Sequence, residues 1–307
     1  ISSRAQAVTD PAAAEGIVTD ATMLAEAYER LQARRATCFS VCAHRRYHPG
    51  IEAVVELIRD ATARTGCPVT SIHAYHSDGQ WRLPAEIMTQ SHHSYHQGHG
   101  KISHSGHHFV DCVSRFYDAG RVSGKEADAV DVYSSCVQPD GLLVQLNEED
   151  YERLFGPGYR RVRTFADQDL AGPFRGFGEI DVESVLTFRR EGRPVCLAGL
   201  SLLHNGFSRR SWMVPAEDLY KGNGRVKHEQ HRIHVGPFLG VQVHSYQAKD
   251  HHARSAAEDL EVGGNNHFEV LVFRNVEMLG VGTAFERLSW GDFAGAAGYR
   301  LDRLYIE

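Results

Sequence analysis

Lysine is scarce in this 307-residue chain: five residues (Lys101, Lys125, Lys221, Lys227 and Lys249) stand against 28 arginines. A lysine Schiff-base mechanism therefore has few candidates. Guanidinium groups, which hold their charge and fork onto carboxylates, are plentiful. The six cysteines, at positions 38, 42, 67, 112, 136 and 196, include no C-x-x-C pair. That spacing excludes a disulfide framework and a cysteine-rich zinc site, and it points to a reducing, cytoplasmic setting. Long apolar runs are missing too: residues 195–203 form one of the longest, and a membrane helix takes about 20. No secretory leader is expected. Positive charge is not in excess, since 33 basic residues face 39 acidic ones for a net charge of -6. Neither nucleic acid nor membrane is an expected partner.

What the chain does hold is histidine, 19 in all, nine of them between His73 and His108. Around that tract the apolar pattern is regular. Residues 22–35 predict a helix capped by Asp20, with Leu24, Ala27, Tyr28 and Leu31 on one face. Residues 36–43 read as a buried strand, followed by the polar turn His44-Arg45-Arg46-Tyr47-His48-Pro49. Residues 50–65 predict a helix with Val54, Val55, Ile58 and Ala61 inward, and residues 68–75 a strand. This is a β–α–β start with a polar turn at a strand end, where α/β proteins place ligands.

Residues 76–106 read as a long functional loop, anchored by Trp81, Leu83, Ile87, Met88 and Tyr95. A helix over 107–119 follows, with Val110, Val113, Phe116 and Tyr117 inward. Strands are predicted over 129–137, 142–146, 180–188, 194–203, 235–246, 267–276 and 277–285, with Glu191-Gly192 as a hairpin turn. The expected fold class is α+β with an α/β start: a βαβ unit leading into a large, mostly antiparallel open sheet with helices on one face.

The densest chemistry lies in Gly100-Lys101-Ile102-Ser103-His104-Ser105-Gly106-His107-His108-Phe109-Val110-Asp111. His108 falls in the first turn of the predicted helix, with Asp111 three residues on and His104 four residues before. The positive end of a helix dipole favours the neutral imidazole, the form a general base needs. Trp81, Glu86, His92, His93, Tyr95, His96 and Lys101 are candidates for lining a polyol pocket, or else anchor a surface loop. Residues 204–210 follow a strand and read either as placing Asn205 and Arg209 near a ligand or as a polar strand-end turn, and residues 259–266 read as a turn. The His228, His231 and His234 spacing puts no three imidazoles on one face of a strand, so they read as exposed.

The spacing Gly100, His104, His108, Asp111 at the start of an apolar helix resembles the catalytic segment of the glucose-fructose oxidoreductase / inositol dehydrogenase / MocA (Gfo/Idh/MocA) family. The Arg-Arg-Tyr turn about sixty residues earlier is similar to that family's as well. The resemblance covers residues 20–120 and extends to the later strands by architecture. It implies an NAD(P)-dependent oxidoreductase acting on a sugar or cyclitol hydroxyl. His108 matches the family's active-site histidine and Asp111 the acidic residue on the same helix. Arg46 and Tyr47 match the turn beside the substrate pocket. His104 stands where the family commonly has an aspartate, and a ring that can donate as well as accept changes the protonation scheme. In that scheme His108 and His104 are catalytic, and Arg46, Tyr47, Lys101, Asp111, Trp81 and His96 bind substrate.

The family's nucleotide fingerprint is not matched: no strand followed by G-x-G-x-x-G opens the chain, and residues 172–178 (GPFRGFG) are a poor substitute. The family's Glu-Lys-Pro lysine is also missing. The expected organisation is a remnant of a nucleotide-binding domain over 1–35 and a substrate-binding α+β domain over 36–307, inactive alone. NAD or NADP is the implied cofactor, and homo-oligomerisation through the open sheet is implied. Two other readings remain open: a non-catalytic sugar-binding or oligomerisation remnant, and a His-rich metal protein built on residues 92–108.

Overall fold

The computed structural model describes residues 10–39, 43–91, 95–210, 224–248 and 266–293. The chain divides into two compact units, one of residues 1–43, 82–104 and 137–180, the other of residues 44–81, 105–136 and 181–307.

The first unit is helical among its described residues. Helix α1 (Pro11–Gln32) starts at the Asp10 cap, whose carboxylate accepts from Ala12 N at 2.9 Å, with Pro11 in the first turn. It therefore begins eleven residues earlier than the expected 22–35 helix. The Ala-rich stretch before Thr22 has helix propensity without a buried stripe, and α1 buries no residue. Residues 36–39 run without strand pairing and Phe39 is exposed, so that part of the expected 36–43 strand is not formed. Residues 40–42 lie outside the described ones, as do His92 and His93.

The long loop carries α3 (Pro84–Thr89) and a short 3-10 turn at Tyr95–Gln97. Of residues 142–146, expected as a strand, 142–145 belong instead to α5 (Pro139–Gln145), and Leu146 caps it. A five-residue apolar run does not distinguish the two, and Pro139 at the first helical position decides for helix. Three further helices complete the unit, α6 (Glu148–Phe155), α7 (Pro157–Val162) and α8 (Asp167–Phe174). Its core is Ile87, Tyr95, Leu142, Leu143, Leu170, Phe174, Phe177 and Ile180.

The second unit is built on an eight-stranded sheet in the order β2-β3-β4-β1-β5-β6-β7-β8. The strands are β1 (Ser71–Ser77), β2 (Ala129–Val137, whose last residue belongs to the first unit), β3 (Asp181–Arg190) and β4 (Arg193–Leu203). They continue with β5 (Val226–Val235), β6 (Leu239–Ala248), β7 (Asn266–Arg274) and β8 (Phe285–Ser289). β1 runs parallel to β4; the β3–β4, β1–β5, β5–β6, β6–β7 and β7–β8 pairs are antiparallel. The expected class, α+β with a mostly antiparallel open sheet, is the one formed. Glu191 (φ 50°) and Gly192 (φ 75°) make the two-residue turn that matches strand twist. The expected 277–285 strand is instead the single turn α9 (Val276–Leu279), closed by Gly280 at φ 70°, with β8 beginning at Phe285.

Two helices pack on one face of the sheet. Helix α2 (Pro49–Thr65) starts on His48, whose Nδ1 accepts from Gly50 N at 3.1 Å, and ends at Gly66 in the left-handed region. Ile51, Val54, Val55 and Ile58 are fully enclosed, each contributing about 1.5–3 kcal/mol of burial. Gly50 admits no side chain, because a Cβ there would lie 2.2 Å from the Phe268 ring on β7. Helix α4 (His107–Ala119) follows directly on a π turn, Ile102–Gly106, and buries His108, Phe109, Cys112, Val113 and Phe116. Val110, expected inward, is 44% exposed: the buried stripe runs one residue earlier, through Phe109, Cys112 and Phe116. Together α2, α4 and the inner faces of seven strands (β1 and β3–β8) form one apolar core.

Candidate active site

The polar turn His44–Tyr47 is a 3-10 turn that stands against α4. It brings the two sequence motifs together. Arg46 forks onto Asp111 of α4, with Nη2–Oδ1 at 2.7 Å and Nε–Oδ2 at 3.0 Å. Arg115, one turn further along α4, donates to the Arg46 carbonyl and to Glu52 of α2, the latter at 2.6 Å. Both Arg46 and Arg115 lie over the half-exposed Tyr47 ring, 6.0 and 5.8 Å from its centroid. The His44 ring stands edge-on to His108 at 4.6 Å, and His107 lies 4.0 Å from His108.

Beneath this surface lies a buried ion pair that sequence inspection missed. Arg45 holds Glu229 of β5 through Nη2–Oε1 at 2.6 Å and through Nε at 3.2 Å to each carboxylate oxygen. Both side chains are enclosed, and Arg45 also stands 5.0 Å over the Phe109 ring. Burial alone would raise the Glu229 carboxyl, but the Arg45 guanidinium more than offsets this and holds it below the usual carboxylate range. The alternation Lys227-x-Glu229-x-His231 was the available signal, because period two places all three on the inner face of β5. His231, expected to be exposed, is fully buried, between Phe109 at 5.7 Å and Phe116 at 5.4 Å.

The electrostatics of the imidazoles follow from that enclosure. Burial first, then the charges of Arg45 and His107, pull His108 down to about 2, so it is neutral at any working pH. Its Nδ1 is buried and makes no hydrogen bond. His44 is lowered for the same reasons, burial and then Arg45. His231 is lowered to about 4 by burial.

The chain from Glu229 continues through His76, whose Nε2 stands 3.7 Å from Glu229 Oε1 and 3.4 Å from Asp78 Oδ1, with its ring stacked on Phe109 at 4.6 Å. Of the other expected site residues, Trp81 is half-buried in the same unit, its carbonyl accepting from Arg210 at 2.8 Å. His96, Lys101 and His104 belong to the first unit. There His96 is exposed beside Phe177 at 6.2 Å, and His104 N donates to Gly100 O at 3.0 Å. Lys101 is fully buried, and Glu179 accepts from the two backbone N–H groups at 101 and 102. Burial raises the Glu179 carboxyl. Gly100 is required by that approach, since a Cβ would lie 2.0 Å from Glu179 Oε2.

A dinucleotide needs a strand, a glycine turn and a helix whose N-terminus receives the pyrophosphate. Among the described residues no strand runs through a G-x-G-x-x-G turn into a helix. Gly172 lies inside α8, and Gly176 N turns back on Pro173 O at 3.0 Å. The described residues therefore do not fit NAD or NADP as a bound group, and no chemical step is assigned through it. No helix among them is long and apolar enough to cross a membrane.

No family model matches the chain, and no curated protein matches it. Solved structures are similar to parts of it. An oxidoreductase domain protein from Kribbella flavida aligns over 80% of this chain and 45% of its own, at 14% identity and a TM-score of 0.40. An inositol dehydrogenase homolog from Azotobacter vinelandii, complexed with NAD+, aligns over 82% and 43%, at 10% identity and 0.40. An oxidoreductase from Sinorhizobium meliloti aligns over 91% and 49%, at 10% identity and 0.39. The chain spans less than half the length of each. So partial a likeness carries no functional weight, and the functional reading rests on the chain's own geometry.

Proposed function

We propose that this chain is the substrate-binding and proton-handling part of an NAD(P)-dependent oxidoreductase acting on a sugar or cyclitol hydroxyl. The observation that carries the reading is the meeting of the two motifs. The Arg-Arg-Tyr turn and the His-x2-Asp helix are distant in sequence and stand locked together by the Arg46–Asp111 fork, with His108 beside His44. Here His108 takes a substrate hydroxyl as a hydrogen-bond acceptor through an imidazole that stays uncharged. Tyr47 and Trp81 offer faces to a sugar ring, while Arg46 and Asp111 supply polar contacts. NAD or NADP is the proposed cofactor of the whole enzyme, held by a nucleotide-binding domain. Residues 1–35 are assigned to the remnant of that domain.

Homo-oligomerisation is proposed through the sheet face opposite α2 and α4, where Val185 and Leu197 are each 53% exposed and Phe273 and Phe285 stand out together. Eight strands about 4.8 Å apart span roughly 38 Å, enough for the ~800 Å² per partner of a stable interface.

The test is NAD(P)-coupled oxidation of a panel of sugars and cyclitols by the full-length gene product. Turnover abolished by His108→Ala with the fold retained is the expected result. Turnover unchanged in that variant removes His108 from the site, and no turnover on any panel member overturns the reading.

A further inference from the structure

The Arg-Arg-Tyr turn is gripped from α4 at both ends of Arg46, and one of the two grips comes from a residue outside the motifs. Asp111 takes the Arg46 guanidinium, which fixes the side chain. Arg115 lies four residues on, one helical turn further along the same face, and its Nη1 donates to the Arg46 carbonyl oxygen. Its Nη2 donates to Glu52 Oε1 in the first turn of α2 at 2.6 Å, and its guanidinium stands 5.8 Å from the centroid of the Tyr47 ring. One side chain, 17% exposed, thus meets the backbone of the turn, its aromatic ring and the start of α2.

The grips differ in what they hold. A fork on a side chain leaves the backbone behind it free to rotate. A bond to the carbonyl oxygen fixes the planar peptide unit between Arg46 and Tyr47, and with it the direction in which the Tyr47 ring leaves the chain. That ring is half-exposed, with Arg46 at 6.0 Å and Arg115 at 5.8 Å. The same turn closes on itself where His48 N donates to Arg45 O at 3.1 Å, directly before His48 caps α2.

We propose that Arg115 is the positioning residue of the substrate-binding turn: by holding the Arg46 carbonyl it sets the plane of the Tyr47 ring on which a sugar or cyclitol ring stacks. The stacking role rests on the oxidoreductase reading; the hold on the turn does not. The task suits a guanidinium. Its donors diverge in one plane toward two acceptors, the Arg46 carbonyl and the Glu52 carboxylate, while its face lies over an aromatic ring. A lysine ammonium keeps the charge but has no plane to lay over Tyr47. The Arg115–Glu52 pair is partly exposed, so it serves to aim the guanidinium more than to stabilise the fold.

The test compares the native full-length gene product with Arg115→Met, Arg115→Lys, Tyr47→Ala and the Arg115→Met/Tyr47→Ala double variant, with thermal melts as folding controls. Amide hydrogen exchange at His48, whose N–H closes the turn, reads the hold without any substrate. Exchange there at least about tenfold faster in Arg115→Met is expected, with Phe116 inside α4 unchanged. Arg115→Lys, which keeps the charge should the methionine variant fold poorly, gives an intermediate rate. Native exchange at His48 in both variants overturns the proposal. In coupled turnover Arg115→Met raises KM about tenfold, the scale of one polar contact, and leaves kcat within about twofold. In the Tyr47→Ala background the same substitution changes KM by less than about twofold, because a residue that acts through the ring has nothing left to act on. An equal effect on KM in both backgrounds, or a fall in kcat as large as the rise in KM, overturns the positioning role. A native protein that turns over no sugar or cyclitol, while His48 exchange still responds to Arg115→Met, sinks the oxidoreductase reading and keeps the hold on the turn.

Discussion

Glu229 carries no chemistry in the proposed reaction, yet it is the residue on which the site's electrostatics depend. With Arg45 fully enclosed above it, Glu229→Gln leaves a buried guanidinium without its counter-charge, a loss on the order of 3–5 kcal/mol. Chemical denaturation of the variant checks this, and a change under about 1 kcal/mol contradicts it. Asp111 makes a contrasting case. Its pair with Arg46 is partly exposed, so Asp111→Asn costs about 1 kcal/mol or less but frees the turn that carries Arg46 and Tyr47. The expected signature is a raised KM for substrate in the coupled assay with little change in melting temperature.

The elements show where the sequence was readable and where it was not. α2 and α4 were legible because their apolar residues recur with helical period and α2 begins with a proline and ends in a glycine. The runs at 142–146 and 277–285 were misread because four or five apolar residues fit a strand and a buried helical turn equally well. The Arg46–Asp111 meeting was implied by the motifs. The Arg45–Glu229 pair was not, since its partners are 184 residues apart and meet only where the 3-10 turn packs on β5. One element-level prediction concerns the start of α2. Gly50→Ala drives a methyl group into the Phe268 ring, and overpacking of this kind costs about 1–3 kcal/mol. A variant as stable as the native protein in urea unfolding contradicts that packing.

Across the whole second unit, the buried imidazoles give stability a direction with pH. His231 is neutral in the fold down to about 4 but takes a proton near 6.5 when unfolded. Its folded value is depressed, so stability is full above about pH 6.5 and falls with acidification, by about 3 kcal/mol by pH 4. His108 acts in the same sense over a longer range, toward about 2. The Glu229 carboxyl, also held low, withdraws its contribution as pH falls below its ordinary value of 4.5. Melting temperature should therefore drop steadily from pH 7 to 5, and His231→Leu should flatten that limb whatever its effect at neutral pH. An equally steep limb in the variant refutes the assignment.

The most direct measurement is the rate of nicotinamide reduction by the full-length gene product over a sugar and cyclitol panel, native against His108→Gln, with melting curves alongside. Turnover of at least one polyol by the native protein is expected, with a loss of at least about tenfold in the variant at unchanged melting temperature, the scale of one lost hydrogen bond to the reacting hydroxyl. No turnover across the panel, or equal rates in the two proteins, would contradict that expectation.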